Sequence, residues 1–355
     1  MEYLAIVPIL GFLMIAHELG HFIVAKRSGV VVEEFAIGFP PRLFSIRRGG
    51  VDYTLNLIPL GAYVKMLGEE DPSAPGSFAS QPKRIRALVL AAGSAMNFLV
   101  AVAVFTAAYA SGWPDSDHMQ VEVAEVSPGS PAQAAGIQQN DRIERLDDAP
   151  VVSLDQFREQ SAQRLGQPIH LTINRSGDEV SVVVTPRTEW PEGQGPIGIR
   201  LRGRAQPVPH GPIESVGFGI RRSVSIVAYT VAAPVLAVRG QISPDAVRPI
   251  GLPGMTQVAA QATSAAFSSG WFFPVLLIMG AFSAGLAVAN MLPLPALDGG
   301  RLVFVLLEAV RGRRVPPERE GLIHLVGMAV LVSIMVLISF HDLVTPAVPI
   351  DWGIR

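Results

Sequence analysis

Four stretches of the chain are apolar for long enough to cross a hydrocarbon core about 30 Å thick, which takes about 20 helical residues. They run over about 3–25, 87–112, 271–292 and 322–340. Residues 3–16 include no charged side chain, and 87–112 is interrupted only by Ser, Thr, Tyr and Asn97. A fifth stretch, 224–238, is shorter, follows Arg221 and Arg222 and contains Pro234. It is expected to lie at the membrane surface as an amphipathic helix. After the first span the pattern changes to imperfect alternation over 51–56 and 61–66, which predicts a β-hairpin within about 44–68. Non-helical backbone beside a membrane needs protein or a watery cavity to cover it. A free edge there could pair with an extended polypeptide, and an ordinary aqueous hairpin fits the pattern as well. Residues 72–82, rich in Pro, Ser, Ala and Gly, read as a linker. Between the second and third spans, short strand-like runs at 121–126, 143–146, 169–173 and 180–184 and a helical stretch at 154–164 predict a small β-rich aqueous domain.

Composition fits this division. The 355 residues are 49% hydrophobic and 16% charged. That is too apolar for a soluble protein, and the charged middle excludes an all-membrane chain. A net charge of −2 without a basic, aromatic-laced stripe gives no sign of nucleic-acid binding. The absence of cysteine excludes disulfides and thiolate metal sites. The N-terminus lacks the basic start and small-residue cleavage site of a signal peptide. Lys26, Arg27, Arg42, Arg47, Arg48, Lys65, Lys83, Arg84 and Arg86 fall between the first two spans. A second basic group, Arg301 to Arg319, falls between the last two. The positive-inside rule then places both basic segments in the cytoplasm, and both termini and the β-rich domain outside.

The candidate chemistry lies in the first span. His17-Glu18-Leu19-Gly20-His21 is an HExxH pentad, with two imidazoles one helical turn apart on one face. Their ring nitrogens can share one Zn²⁺ while Glu18 reaches a water as general base. Polar groups inside an apolar span are costly and therefore expected to serve function. Catalytic zinc sites take a third protein ligand. Asp298, in Asn290-Met291-Leu292-Pro293-Leu294-Pro295-Ala296-Leu297-Asp298-Gly299-Gly300, follows the third span at the depth of the pentad. Pro293 and Pro295 break the helix so that the carboxylate can turn back toward the bundle. His118, His170, His210, His324 and His341 read as structural or exposed.

HExxH in the first span, NxxPxPxLDG at the third, and Ser127-Pro128-Gly129-Ser130-Pro131-Ala132 followed by Ala135-Gly136 and Asn140-Asp141-Arg142-Ile143 together resemble the site-2 protease family of intramembrane zinc metalloproteases, peptidase family M50, in its bacterial RseP-type branch with a single PDZ domain. Asn140 stands where that PDZ signature has Gly, a mild departure because Asn tolerates a left-handed backbone. The resemblance implies a polytopic α-helical membrane protein with four transmembrane helices, a membrane-associated β-hairpin and one extracytoplasmic PDZ domain of the α+β class. The expected order is membrane core over 1–112, PDZ over 119–203, linker with the interfacial helix over 204–270, and membrane core over 271–355. It implies zinc on His17, His21 and Asp298, water activation by Glu18, and residence in the bacterial inner membrane. The family's GxxxN motif fits Gly93-Ser94-Ala95-Met96-Asn97, and Asn97 and Asn290 are then implicated in handling unwound substrate. Helix packing for Gly93 and an interhelical hydrogen bond for Asn97 stay open. Implied partners are the lipid bilayer and single-pass membrane proteins already shortened outside, such as an anti-sigma factor or a remnant signal peptide. Whether the PDZ groove binds a ligand or excludes bulky substrates is open, and a non-catalytic PDZ-bearing scaffold is the alternative function.

Overall fold

The computed structural model describes residues 2–69, 71, 73–191, 194–243, 248–346, 350 and 352. The chain divides into two compact units, 1–109 with 211–350 and 110–210 with 351–355. The first unit opens with α1 (Ile6–Arg27), β1 (Val32–Arg48), β2 (Val51–Met66) and α2 (Lys83–Ser111). The second holds β3 (Trp113–Val126), α3 (Pro131–Ala134), β4 (Arg142–Leu146), β5 (Ala149–Pro150), α4 (Leu154–Ala162), β6 (Ile169–Arg175), β7 (Asp178–Val184) and β8 (Ile199–Val208). The chain then returns to the first unit through α5 (Pro212–Val238), α6 (Leu252–Ser269), α7 (Phe273–Asn290), α8 (Asp298–Arg311) and α9 (Pro317–Val344).

In α1 the buried residues Leu13, Ala16, His17, Gly20, His21 and Ala25 recur at helical spacing. They form one stripe that carries both imidazoles inward. Gly20 is the point of closest approach to α2. A β-carbon there would strike the carbonyl of Ala92 and lie 2.9 Å from Met96 Cβ. Lys26 and Arg27 occupy the last turn, where cations complement the helix dipole.

The sheet of the first unit starts at Val32 rather than near residue 44, and it is larger than a hairpin of short strands. β1 pairs twice along β2: Glu34 with both Lys65 and Asp52, and Ile37 with both Ala62 and Leu55. The far end of β1 pairs with the near end of β2, from Ser45–Thr54 to Arg48–Val51. The segments therefore lie in the order 62–66, 34–37, 52–55, 45–48, and 62–66 is an edge. Ala25, Phe35, Val64, Val89, Leu90 and Val305 belong to one buried cluster that ties this sheet to α1, α2 and α8. Phe39, Leu43, Phe44, Ile46, Leu57 and Ile58 are exposed. So large an apolar surface on a short sheet fits contact with lipid.

Five helical segments among the described residues are long and apolar enough to cross a membrane: 2–27, 83–111, 212–238, 273–290 and 317–344. The third contains the stretch 224–238 expected at the membrane surface; α5 is longer than that stretch and, by length and composition, a candidate crossing. α5 runs antiparallel alongside α2. Near its start Phe218 stacks on Tyr109 and Gly219 packs against Thr106; further along, Val227 and Val231 line a groove with Ala91 and Ser94. Its contacts with α2 thus run from residue 218 to residue 231, about 20 Å of helix. The charged pair Arg221-Arg222 and Pro234 shortened the apolar run in the sequence. Gly219 and Ser223, both buried, instead let α5 approach α2 closely. α6 was read as linker, because its Ala, Ser, Thr and Gln give no strong period. Its packing rests on buried small residues such as Ala259, Ala262 and Ala266.

The second unit is an antiparallel sheet in the order β7-β6-β4-β3-β8, with β5 on β4. Its core gathers Val121, Val123, Ile143, Ile169, Leu171 and Phe157. Ser130 and Ser153 cap α3 and α4 by accepting from the N–H groups of Gln133 and Gln156. Asn140 adopts φ +70°, the left-handed backbone expected of it. Asp141 is buried and accepts from Arg175 Nε (2.8 Å), Arg175 Nη2 (2.7 Å) and Gln138 N–H (2.7 Å).

Candidate metal centre

Three atoms from opposite ends of the chain form a nearly equilateral triangle. His17 Nε2 and His21 Nε2 each lie 3.1 Å from Asp298 Oδ2 and 3.1 Å from one another. The histidines come from the buried stripe of α1. Asp298 is the first residue of α8, reached through the turn that the prolines impose after α7. The Ala296 N–H donates to His324 Nδ1 of α9 at 2.8 Å, holding that turn, and Ala296 itself has φ +73°. His324 is thus structural, as read. His170 and His210 do not join the centre among the described residues, His341 contacts Thr345 within its own helix end, and the side chain of His118 lies outside the described residues.

Donor chemistry says what the triangle can hold. His21 Nδ1 donates to the Val89 carbonyl at 2.7 Å. Its Nδ1 therefore carries a proton, and in the neutral ring Nε2 presents a lone pair. That lone pair faces a carboxylate oxygen at 3.1 Å, a pair of acceptors that a proton or a metal ion between them turns into an attraction. Tetrahedral zinc with ligands at about 2.0–2.1 Å sets its ligand atoms about 3.3 Å apart. The triangle has that size, and its two nitrogens and one oxygen suit a borderline metal. Among the described residues it is the one such cluster.

Other side chains complete the surroundings. Glu18 Oε2 accepts from the Val64 N–H at 3.1 Å, which sets the carboxylate against the edge segment 62–66. Asn97 is fully buried, and its Nδ2 lies 3.3 Å from His17 Nδ1; Asn290 Nδ2 lies 3.4 Å from the same atom. A His17 that ligates through Nε2 carries its proton on Nδ1 and needs an acceptor. Asn97 Oδ1 is buried without a partner. A half-turn of that amide delivers Oδ1 to His17 and satisfies both groups. A β-carbon on Gly93 would sit 2.6 Å from His17 Nε2 and collide with His21 Nε2, so the backbone of α2 walls the site. The structure therefore gathers all six candidate residues, His17, Glu18, His21, Asn97, Asn290 and Asp298. Sequence reasoning missed Val64 and the Val89 carbonyl, because a backbone group carries no residue-type signal.

The comparisons agree with this geometry. The sequence model of peptidase family M50 matches residues 5–334. A Clostridium perfringens protein provisionally named a zinc metalloprotease is 35% identical over 336 residues, 94% of this chain and 96% of the relative. Zinc metalloprotease RasP of Oceanobacillus iheyensis is 29% identical over 96% of this chain and 98% of its own. A provisionally named zinc metalloprotease of Rhizobium meliloti is 32% identical over 94% of each chain. With a family match over nearly the whole length and the pentad facing Asp298 inside it, the chain belongs to peptidase family M50, the site-2 protease family.

Proposed function

We propose that this protein is an intramembrane zinc metalloendopeptidase that hydrolyses a peptide bond in or near the transmembrane segment of single-pass membrane proteins. The observation that carries the reading is the triangle of His17, His21 and Asp298, built on helix ends and faces of an apolar bundle. Zinc held there supplies Lewis-acid polarisation of a carbonyl and brings the pKa of water toward ~7. Glu18, next in sequence to His17, takes the proton of the attacking water and returns it to the departing amide nitrogen. His21 is fixed by Val89 and His17 by Asn97, so neither imidazole has to reorient during the reaction.

A substrate helix must unwind first, since its carbonyls are hydrogen-bonded and shielded. The edge segment 62–66 beside Glu18 offers backbone donors and acceptors to an extended strand, and Asn290 is close enough to share that role. The β-rich unit is read as a PDZ domain over about 119–203. Its groove of about 490 Å³ between α4 and β8, lined by Phe157, Trp190, Ile199 and Leu201, would bind a peptide or screen substrates by size. The placement follows the basic residues: bacterial inner membrane, centre toward the cytoplasm, termini and PDZ unit outside.

The test is cleavage of single-pass substrates, already trimmed on the outer side, in liposomes holding the full chain. Wild type cuts within or beside the apolar segment. Glu18→Gln binds zinc equally well but cuts about 10²–10⁴-fold more slowly, the contribution of a general base. Equal cutting by Glu18→Gln, or cutting only in aqueous loops, would overturn the reading.

A further inference from the structure

A second charged cavity, of about 550 Å³, opens at the start of α2, lined by Lys83, Arg86, Gln81, Ala79, Glu308 and Arg314. Arg86 is 4% exposed, pairs with Glu308 and donates to the Gln81 carbonyl. That pair is neutral, and it leaves two cations. Lys83 Nζ reaches only the Glu308 carbonyl at 3.4 Å, and Arg314 reaches only the Ala79 carbonyl at 3.2 Å. Neither makes an ion pair among the described residues. No acidic side chain sits in the first turn of α2, whose dipole adds to the positive potential.

The position of the cavity narrows the ligand. Lys83 opens a 29-residue apolar helix, and Arg314 stands three residues before a 28-residue one. Both therefore lie at the level where hydrocarbon gives way to headgroups. Leu88 and Val310, each two residues from the Arg86–Glu308 pair, leave apolar side chains 58% and 87% exposed. A pair of cations in a cavity with apolar flanks at that level matches the phosphate and chains of an anionic phospholipid.

We propose that this cavity is a binding site for a phosphate-bearing anion, with an anionic phospholipid headgroup as the source that the helix ends favour. The site is independent of the hydrolytic reading. Each cation contributes about fivefold in affinity, so losing both weakens binding about 30-fold.

The experiment uses the full chain in phosphatidylcholine nanodiscs doped with phosphatidylglycerol, with retained lipid counted by native mass spectrometry. Wild type and Arg84→Gln/Arg319→Gln, which removes two exposed arginines outside the cavity, retain phosphatidylglycerol alike. Lys83→Gln/Arg314→Gln retains it about 30-fold more weakly, with unchanged helical content. Inorganic phosphate is then added at millimolar concentration. Lipid that stays bound identifies the headgroup as the ligand. Displacement matched by phosphate binding in undoped discs identifies the soluble anion instead, and both results support the site. Equal retention and equal phosphate binding by wild type and Lys83→Gln/Arg314→Gln would overturn the proposal, as would an equal loss in the Arg84→Gln/Arg319→Gln control.

Discussion

A single methyl group separates glycine from alanine, and at Gly93 it would occupy the space of two imidazoles, 2.6 Å from His17 Nε2. Gly93→Ala is therefore expected to push both rings off the triangle, lowering zinc occupancy and cleavage at least tenfold while circular dichroism stays unchanged. Metal analysis of the purified variant checks it. Asn97→Ala acts one step further out. It leaves His17 Nδ1 without its buried amide partner, and loss of such a partner costs about 10–100-fold in metal affinity. Competition with a zinc chelator measures this directly, and an unchanged affinity would return Asn97 to a packing role. At this scale the sequence was most legible where side-chain chemistry does the work. His17, Glu18, His21 and Asp298 announce themselves by residue type and spacing. The Val64 N–H and the Val89 carbonyl are equally close to the centre yet could belong to any residue.

Elements were legible in proportion to their hydrophobic contrast. α1, α2, α7 and α9 stand out as apolar runs, whereas α6 does not, because it packs through small residues and is held in part by one distant carboxylate. Asp342 of α9 is 2% exposed; its Oδ2 accepts from the N–H groups of Gly251 (2.8 Å) and Gly254 (3.1 Å) at the start of α6, and its Oδ1 accepts from Arg248 (2.7 Å). No local pattern in 252–269 could foretell a cap supplied from residue 342. Asp342→Ala strands two buried donors and a partly buried guanidinium, at a cost of about 2–4 kcal/mol. Hydrogen exchange should accelerate in α6 first, while zinc content is preserved. The sheet was underread for a related reason. β1 carries Pro40 and Pro41 and a long exposed stretch instead of alternation, so only its partner β2 was visible.

Across the whole molecule, the path of α5 decides the number of membrane crossings. Its packing against α2 runs from Phe218 on Tyr109 to Val231 in the groove with Ala91, which makes it a candidate crossing. The chain has no cysteine, so single introduced thiols report without background. In oriented membranes, Ile213→Cys and Gln241→Cys should react with a membrane-impermeant maleimide from the same, outer face, as four crossings with both termini outside require; reaction from opposite faces would make α5 a further crossing. The broad plan of apolar spans around a polar centre with one β-rich insertion could be read from hydropathy alone. The path of α5 could not, because close packing by Gly219 and Ser223 is a property of the pair of helices.

That His17, His21 and Asp298 form one metal site inside the membrane bundle is tested most directly by zinc stoichiometry and zinc K-edge X-ray absorption of the purified full-length protein. One zinc per chain is predicted, with two imidazole nitrogens and a carboxylate oxygen at about 2.0–2.1 Å, and Asp298→Ala should reduce the bound zinc at limiting metal at least tenfold. A full complement of zinc in the His17→Ala/His21→Ala/Asp298→Ala variant, with an unchanged absorption spectrum, would contradict the account.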